Sequence, residues 1–123
     1  MGQKIQTISD KTLLDFLHTG DLEVDPVTAE VFWRGNLKKP TIVGTEGKNG
    51  TRKRIEIHYQ GFRRSIVLAR LVYMAGTRKV IPRGYEIHHV DFDRYNDSFD
   101  NLIALTVQDH LKIHNINTDD TPF

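Results

Sequence analysis

Residues 85–115 read YEIHHVDFDRYNDSFDNLIALTVQDHLKIHN, and they hold four of the six histidines of the sequence. The opening YEIHHV alternates well enough for a strand that ends on His88 and His89. Successive strand side chains point to opposite faces, so two adjacent imidazoles cannot share one task by pointing the same way. DFDRYNDSFD supplies Asp91, Asp93, Asn96, Asp97, Ser98 and Asp100, whose short polar side chains build Asx turns, and it reads as a polar loop. NLIALT, from Asn101 to Thr106, returns as a second strand. Thr106 with Asp109 three positions later resembles a capping box and opens a helix, VQDHLKIHN, on which His110 and His114 stand at i and i+4 on one face. The order is therefore strand, loop, strand, helix. With the helix packed back across the hairpin, three imidazoles can converge on one metal ion, and the fourth is left to act as a base.

Upstream, SDKTLLDFLHTG (9–20) has Ser9 and Asp10 as N-caps, an apolar stripe of Leu13, Leu14, Phe16 and Leu17, and a stop at Gly20, so a short helix is expected. His18 in its last turn suits the helix dipole and needs no chemical role. DLEVDPVTAEVFWRG reads as a hairpin turned at Asp25-Pro26, with Trp33 as strand packing rather than a base-stacking platform. NLKKPTIVGTEGKNGTRK (36–53), rich in Gly, Lys and Thr, is expected to be a mobile basic loop with a short strand at Thr41 to Val43. In RKRIEIHYQGFRRSIVLARLVYMAG, Ile55, Ile57 and Tyr59 alternate with Glu56 and His58, Gln60-Gly61 makes a turn, and a second strand begins at Phe62. His58 falls on the solvent face of its strand. From Ile66 the pattern becomes that of a buried helix of about three turns ending at Gly76, with Arg63, Arg64 and Arg70 at its mouth and on its polar side.

A chain of 123 residues suits one domain with a modest core. The expected fold is α+β: an N-terminal helix, a basic region of hairpins and a helix over residues 31–84, the strand-loop-strand-helix motif of 85–115, and a loose acidic tail at 116–123. No apolar run approaches the roughly 20 residues that span a bilayer. MGQKIQTISDKT lacks the pattern of a signal peptide, so a cytoplasmic setting with no membrane partner is expected. With no cysteine, disulfides and Cys-based zinc knuckles are excluded, and any metal must be held by His, Asp, Glu or Asn. The net charge of +1 hides a segregation: Lys and Arg number 2 against 6 acidic residues in 1–33, 14 against 5 in 34–94, and 1 against 5 in 95–123. A basic block inside a nearly neutral whole suggests a face that meets a phosphate backbone, beside the plainer reading of a solvated surface of mixed charge.

The arrangement His88-His89, Asn101 twelve residues after His89, and His110 nine residues after Asn101 resembles the His-Asn-His (HNH) motif of the ββα-metal nucleases. His114, four residues on, extends the likeness to the nuclease domains of colicins, which pair adjacent histidines with His-x-x-x-His on the helix. IHHVDFDRYNDSFDNLIAL is closer still to HNH endonucleases of phages and mobile elements. The close likeness spans residues 85–115, and a looser one reaches back to about residue 31. The resemblance implies a metal-dependent endonuclease in which His88, His110 and His114 bind one divalent ion, His89 is the general base, and Asn101 holds the loop and orients His89 through its amide. Many phage relatives carry Asp where His88 stands, which suits magnesium. Three histidines are softer and point toward zinc, nickel, cobalt or manganese, with a water-rich magnesium site still open.

Such a site hydrolyses a phosphodiester by activating a water, relieving charge on the phosphate and stabilising the leaving oxygen. Arg64, Arg70 and Arg83 are candidates for a bidentate phosphate clamp, and they join Arg63 as expected nucleic-acid contacts. The expected partner is double-stranded DNA, nicked or cut. Two alternatives stand beside this reading: a nuclease acting on RNA, and a metal-stabilised module that holds nucleic acid without cutting it. No heptad or large apolar stripe compels a dimer, so both monomer and homodimer are compatible with the sequence. One site per chain nicks one strand.

Overall fold

The computed structural model of the protein describes the backbone of residues 6–45 and 50–120 and the side chains of residues 7–44 and 51–113. A two-residue strand, β1 (Gln6–Thr7), leads into α1 (Asp10–Thr19). The Ser9 hydroxyl accepts the Thr12 N–H at 3.1 Å, and Gly20, at φ 87°, closes the helix by donating its N–H to Phe16 O. Leu13, Phe16 and Leu17 form the buried face of α1. A three-stranded antiparallel meander follows: β2 (Leu22–Val24), β3 (Val31–Trp33) and β4 (Asn36–Lys38). Its first turn is closed by Asp25, whose carboxylate accepts the Val27 and Thr28 N–H groups.

The second sheet runs in the order β1-β7-β6-β5, from β5 (Thr41–Thr45), β6 (Gly50–Tyr59) and β7 (Phe62–Val67), with β1 parallel to β7 and the other pairs antiparallel. Gln60 and Gly61 both have positive φ, 49° and 82°, the geometry that lets a two-residue hairpin match the twist of its strands. Ile55, Ile57 and Ile66 point inward from this sheet. They meet α2 (Leu68–Thr77), whose Leu68, Ala69, Leu71, Val72 and Met74 are all buried. Burial of a side chain of this size is worth roughly 1.5–3 kcal/mol. The same core takes in Ile8, Leu22, Val31, Ile81 and Leu102, so the helix joins both sheets to the last part of the chain.

That last part is an antiparallel hairpin of β8 (Tyr85–His89) and β9 (Leu102–Thr106), followed by α3 (Val107–Asp120). The α+β class, the first helix with its caps, both early hairpins and the strand-loop-strand-helix order stand as the sequence suggests. Four details differ. Residues 36–53 are not an irregular loop: outside 46–49, which lie outside the described residues, they lie largely in β4, β5 and the start of β6. Both faces of the outer β5–β6 ribbon carry polar groups, so its backbone ladder leaves little hydropathy signal. Ile66 and Val67 belong to β7, paired with Ile55 and Arg54, and α2 begins only at Leu68. The expected tail is helical through residue 120, while 121–123 lie outside the described residues.

Gly76 does not end α2, which closes at Arg78 in the left-handed region with φ 59°. Its task is close approach: a methyl group there would overlap the ring of Phe99. Phe99 also packs against Tyr73 and donates its backbone N–H to Pro26 O at 2.8 Å, so the turn before β9 is seated on both α2 and the meander. Gly76→Ala is expected to destabilise the protein by about 1–3 kcal/mol, the usual scale of overpacking, as measured by chemical denaturation. An unchanged or raised midpoint would mean that Phe99 moves aside freely. No described helix is long and apolar enough to cross a membrane.

Candidate active site

The alternation of β8 sorts its side chains before any other element is considered. Glu86 and His88 share one face of the strand, and His89 lies on the other. His88 is 8% exposed, with its ring edge-on to Phe92 at 4.8 Å and to His110 at 5.1 Å between centroids. His110 is brought there by the start of α3, where the Thr106 hydroxyl accepts the Asp109 N–H at 3.1 Å and Val107 N–H reaches Gly84 O. Its Nδ1 donates to Glu86 Oε2 at 2.6 Å. A ring whose Nδ1 is held by a carboxylate meets a metal ion with Nε2, the arrangement in which that carboxylate fixes tautomer and direction.

The loop between the strands is organised around Asp91. Its carboxylate accepts the Asn96 and Asn101 side-chain amides, both at 2.9 Å, and the Asp93 N–H at 2.8 Å. The Asn96 amide first, then the Asp93 N–H and the Asn101 amide, hold its pKa below the usual carboxylate value. Asn101 also bridges Asp91 N–H and Asn96 O, which makes it the brace of the loop. Phe92 sits in the left-handed region at φ 62°, a conformation an aromatic residue adopts at a cost.

His89 is oriented by a residue that the sequence does not distinguish. Its Nε2 donates to Asp97 Oδ1 at 2.7 Å, and Asp97 is 4% exposed. The second oxygen, Oδ2, is buried and has no hydrogen-bond partner among the described residues. An ionised carboxylate only accepts, so the proton is fixed on Nε2 and the lone pair on Nδ1. The expectation that the Asn101 amide orients His89 is therefore corrected: Asn101 holds the loop, and Asp97 holds the ring.

The four arginines are placed differently. Arg64 is turned inward, 2.7 Å from Asp10 and donating to Ile8 O at 2.8 Å, so it ties β7 to the N-terminal segment and is not positioned as a phosphate contact. Arg63 is exposed on β7, across from His58. Arg70, half-buried on α2, has Nη1 3.5 Å from Tyr85 O, and Arg83 is exposed in the turn that leads into β8. Arg70 and Arg83 thus flank the strand that carries the histidines. The side chain of His114 lies outside the described residues. Among the described residues, no three His, Cys, Asp or Glu side chains are grouped so as to hold a metal ion. The adjacent His88 and His110 imidazoles, one of them braced by Glu86, nevertheless have the donor chemistry of the first two ligands of a divalent ion.

Glu86 could have been found from its i−2 relation to His88. Asp97 had no such signal, because it is one of several Asx residues in a loop made of them. A family model described as HNH endonuclease matches residues 70–112, a stretch that includes Arg70, Arg83, His88, His89, Asn101 and His110 and stops before His114. A solved structure described as DNA binding and cleavage by the HNH homing endonuclease I-HmuI is similar in fold, with a TM-score of 0.63 and 22% identity over 79% of this chain. The match covers 53% of the I-HmuI chain, so this protein spans about half of that length. No curated protein matches the sequence. Residues 70–112, which include β8, β9 and the start of α3, are thus similar to the HNH endonuclease model, and the fold of the chain is similar to that of I-HmuI.

Proposed function

We propose that this chain hydrolyses DNA phosphodiester bonds, nicking one strand at each site, with His89 as general base and one divalent ion held by His88, His110 and His114. The observation that carries the reading is the fixed ring of His89, which donates from Nε2 to a buried carboxylate and so presents Nδ1 as the acceptor. A histidine bonded this way has the direction and tautomer a base needs, and imidazole is the side chain suited to exchanging a proton near neutral pH. A purely structural metal site has no use for such a residue beside its ligands.

His89 takes the proton of the attacking water at Nδ1 and holds its own N–H on Asp97. The bound ion would act as Lewis acid toward the scissile phosphate and the leaving 3′ oxygen. Glu86 keeps His110 in the orientation of a ligand. Arg70 or Arg83 meets a non-bridging phosphate oxygen with paired N–H donors. Arg63 and the cations of the β5–β6 ribbon would add contacts to the backbone that give affinity without sequence preference. DNA as the substrate is supported by the likeness in fold to a DNA-cleaving homing endonuclease, and carriage by a phage or mobile element accords with the same likeness.

The test is incubation of supercoiled plasmid with purified protein and magnesium, manganese, nickel or zinc, with and without chelator. Conversion to open circles that depends on the ion is expected. No conversion with any ion would favour a metal-stabilised binding module instead. His110→Ala should lower the bound metal per chain, read by elemental analysis, and an unchanged stoichiometry would remove His110 from the ligand set.

A further inference from the structure

We propose that Tyr95, held by Thr51 and Lys53 of β6, is a positioning residue that pins the histidine-bearing loop to the large sheet and so fixes Asp97 and, through it, the ring of His89. The proposal rests on the reading of His89 as the base. Thr51 and Lys53 are two apart and share one face of β6, the face that looks toward the loop. The Thr51 hydroxyl, in a residue only 9% exposed, is hydrogen-bonded to the Tyr95 phenol across 44 positions of sequence. Lys53 Nζ donates to Tyr95 O at 3.2 Å and lies 5.8 Å from the centre of its ring. Tyr95 is thus gripped at its hydroxyl, its ring and its carbonyl by one strand.

Apart from Phe99, whose N–H to Pro26 O and ring seat the far end of the loop on the meander and α2, the other bonds at this point are local. Tyr95 N–H goes to Asp93, and Asp91, Asn96 and Asn101 bond one another within the loop and its return to β9. Those bonds shape the loop but do not set where it lies relative to the sheet. Two residues beyond Tyr95 stands Asp97, the partner of His89. Thr51 pairs with Gly44 across the β5–β6 ribbon, so the ribbon, Tyr95 and the segment that carries Asp97 are mechanically one unit.

Tyr95→Phe and Thr51→Val each delete one hydroxyl while keeping the volume, and Thr51→Ser keeps the hydroxyl. Amide hydrogen exchange in the metal-free protein should be about tenfold faster at residues 93–98 in the first two variants and close to wild type in Thr51→Ser, with β8 and β9 amides unchanged. Under the ion that supports plasmid nicking, kcat should fall about tenfold with KM unchanged in the same two variants, and the double variant should be no slower than either. Unaltered exchange would overturn the latch. Faster exchange with unaltered kcat would overturn its link to the base, and a raised KM with unaltered kcat would make Tyr95 a nucleic-acid contact instead. A wild-type protein that nicks nothing overturns the nuclease reading and the step from loop to base, while the exchange data still decide whether Tyr95 holds the loop.

Discussion

His89→Ala is expected to leave the protein folded and its metal content unchanged while lowering the nicking rate by about 10²–10⁴-fold, the usual contribution of a positioned general base. The ring lies at the end of β8 with its side chain 11% exposed, outside the hydrophobic core, and among the described residues its side chain bonds Asp97, so the core that holds the fold is left in place. The loss should appear in kcat, because His89 is assigned no contact with the DNA outside the reacting water. Single-turnover nicking beside a metal assay checks this. A variant that binds metal normally and cuts at the parent rate would end the assignment of His89 as base.

Asp97→Asn should separate activity from stability. An amide in place of the buried carboxylate can donate to Nε2 and thereby favour the tautomer with its proton on Nδ1, so the lone pair faces the wrong way. A loss of about 10²-fold or more in kcat is expected from a misplaced tautomer. The thermal midpoint should stay level or rise, because a buried carboxylate oxygen without a hydrogen-bond partner among the described residues is replaced by a neutral group. A fall in midpoint matched by a proportional fall in activity would mean that Asp97 serves the fold and not the ring.

Much of this molecule is legible from residues alone. Ser9 and Gly20 bracket a helix because a hydroxyl acceptor and a left-handed residue are what helix ends require. The i, i+4 spacing of His110 and His114, and the side-by-side pair on β8, were readable because the periods of helix and strand are fixed by backbone geometry. The role of Asp97 was not. In a loop with Asp91, Asp93, Asn96, Ser98 and Asp100, local sequence says that Asx turns form and does not say which carboxylate is carried inward. The β5 strand was understated for a related reason: its stability comes from pairing with β6, and hydropathy records burial rather than backbone bonds. Arg64 looked like its neighbour Arg63 until strand alternation and the position of Asp10 separated them.

The seating of Phe99 has a consequence for engineering. An excised peptide of residues 85–115 would carry the histidines but none of the partners that hold its turn: Gly76 supplies the space for the Phe99 ring, Pro26 accepts its N–H, and Thr51 holds Tyr95. A lone two-stranded hairpin is marginal in water. The histidine stretch is therefore not a portable cassette, and a graft onto another scaffold would have to bring those three distant supports with it.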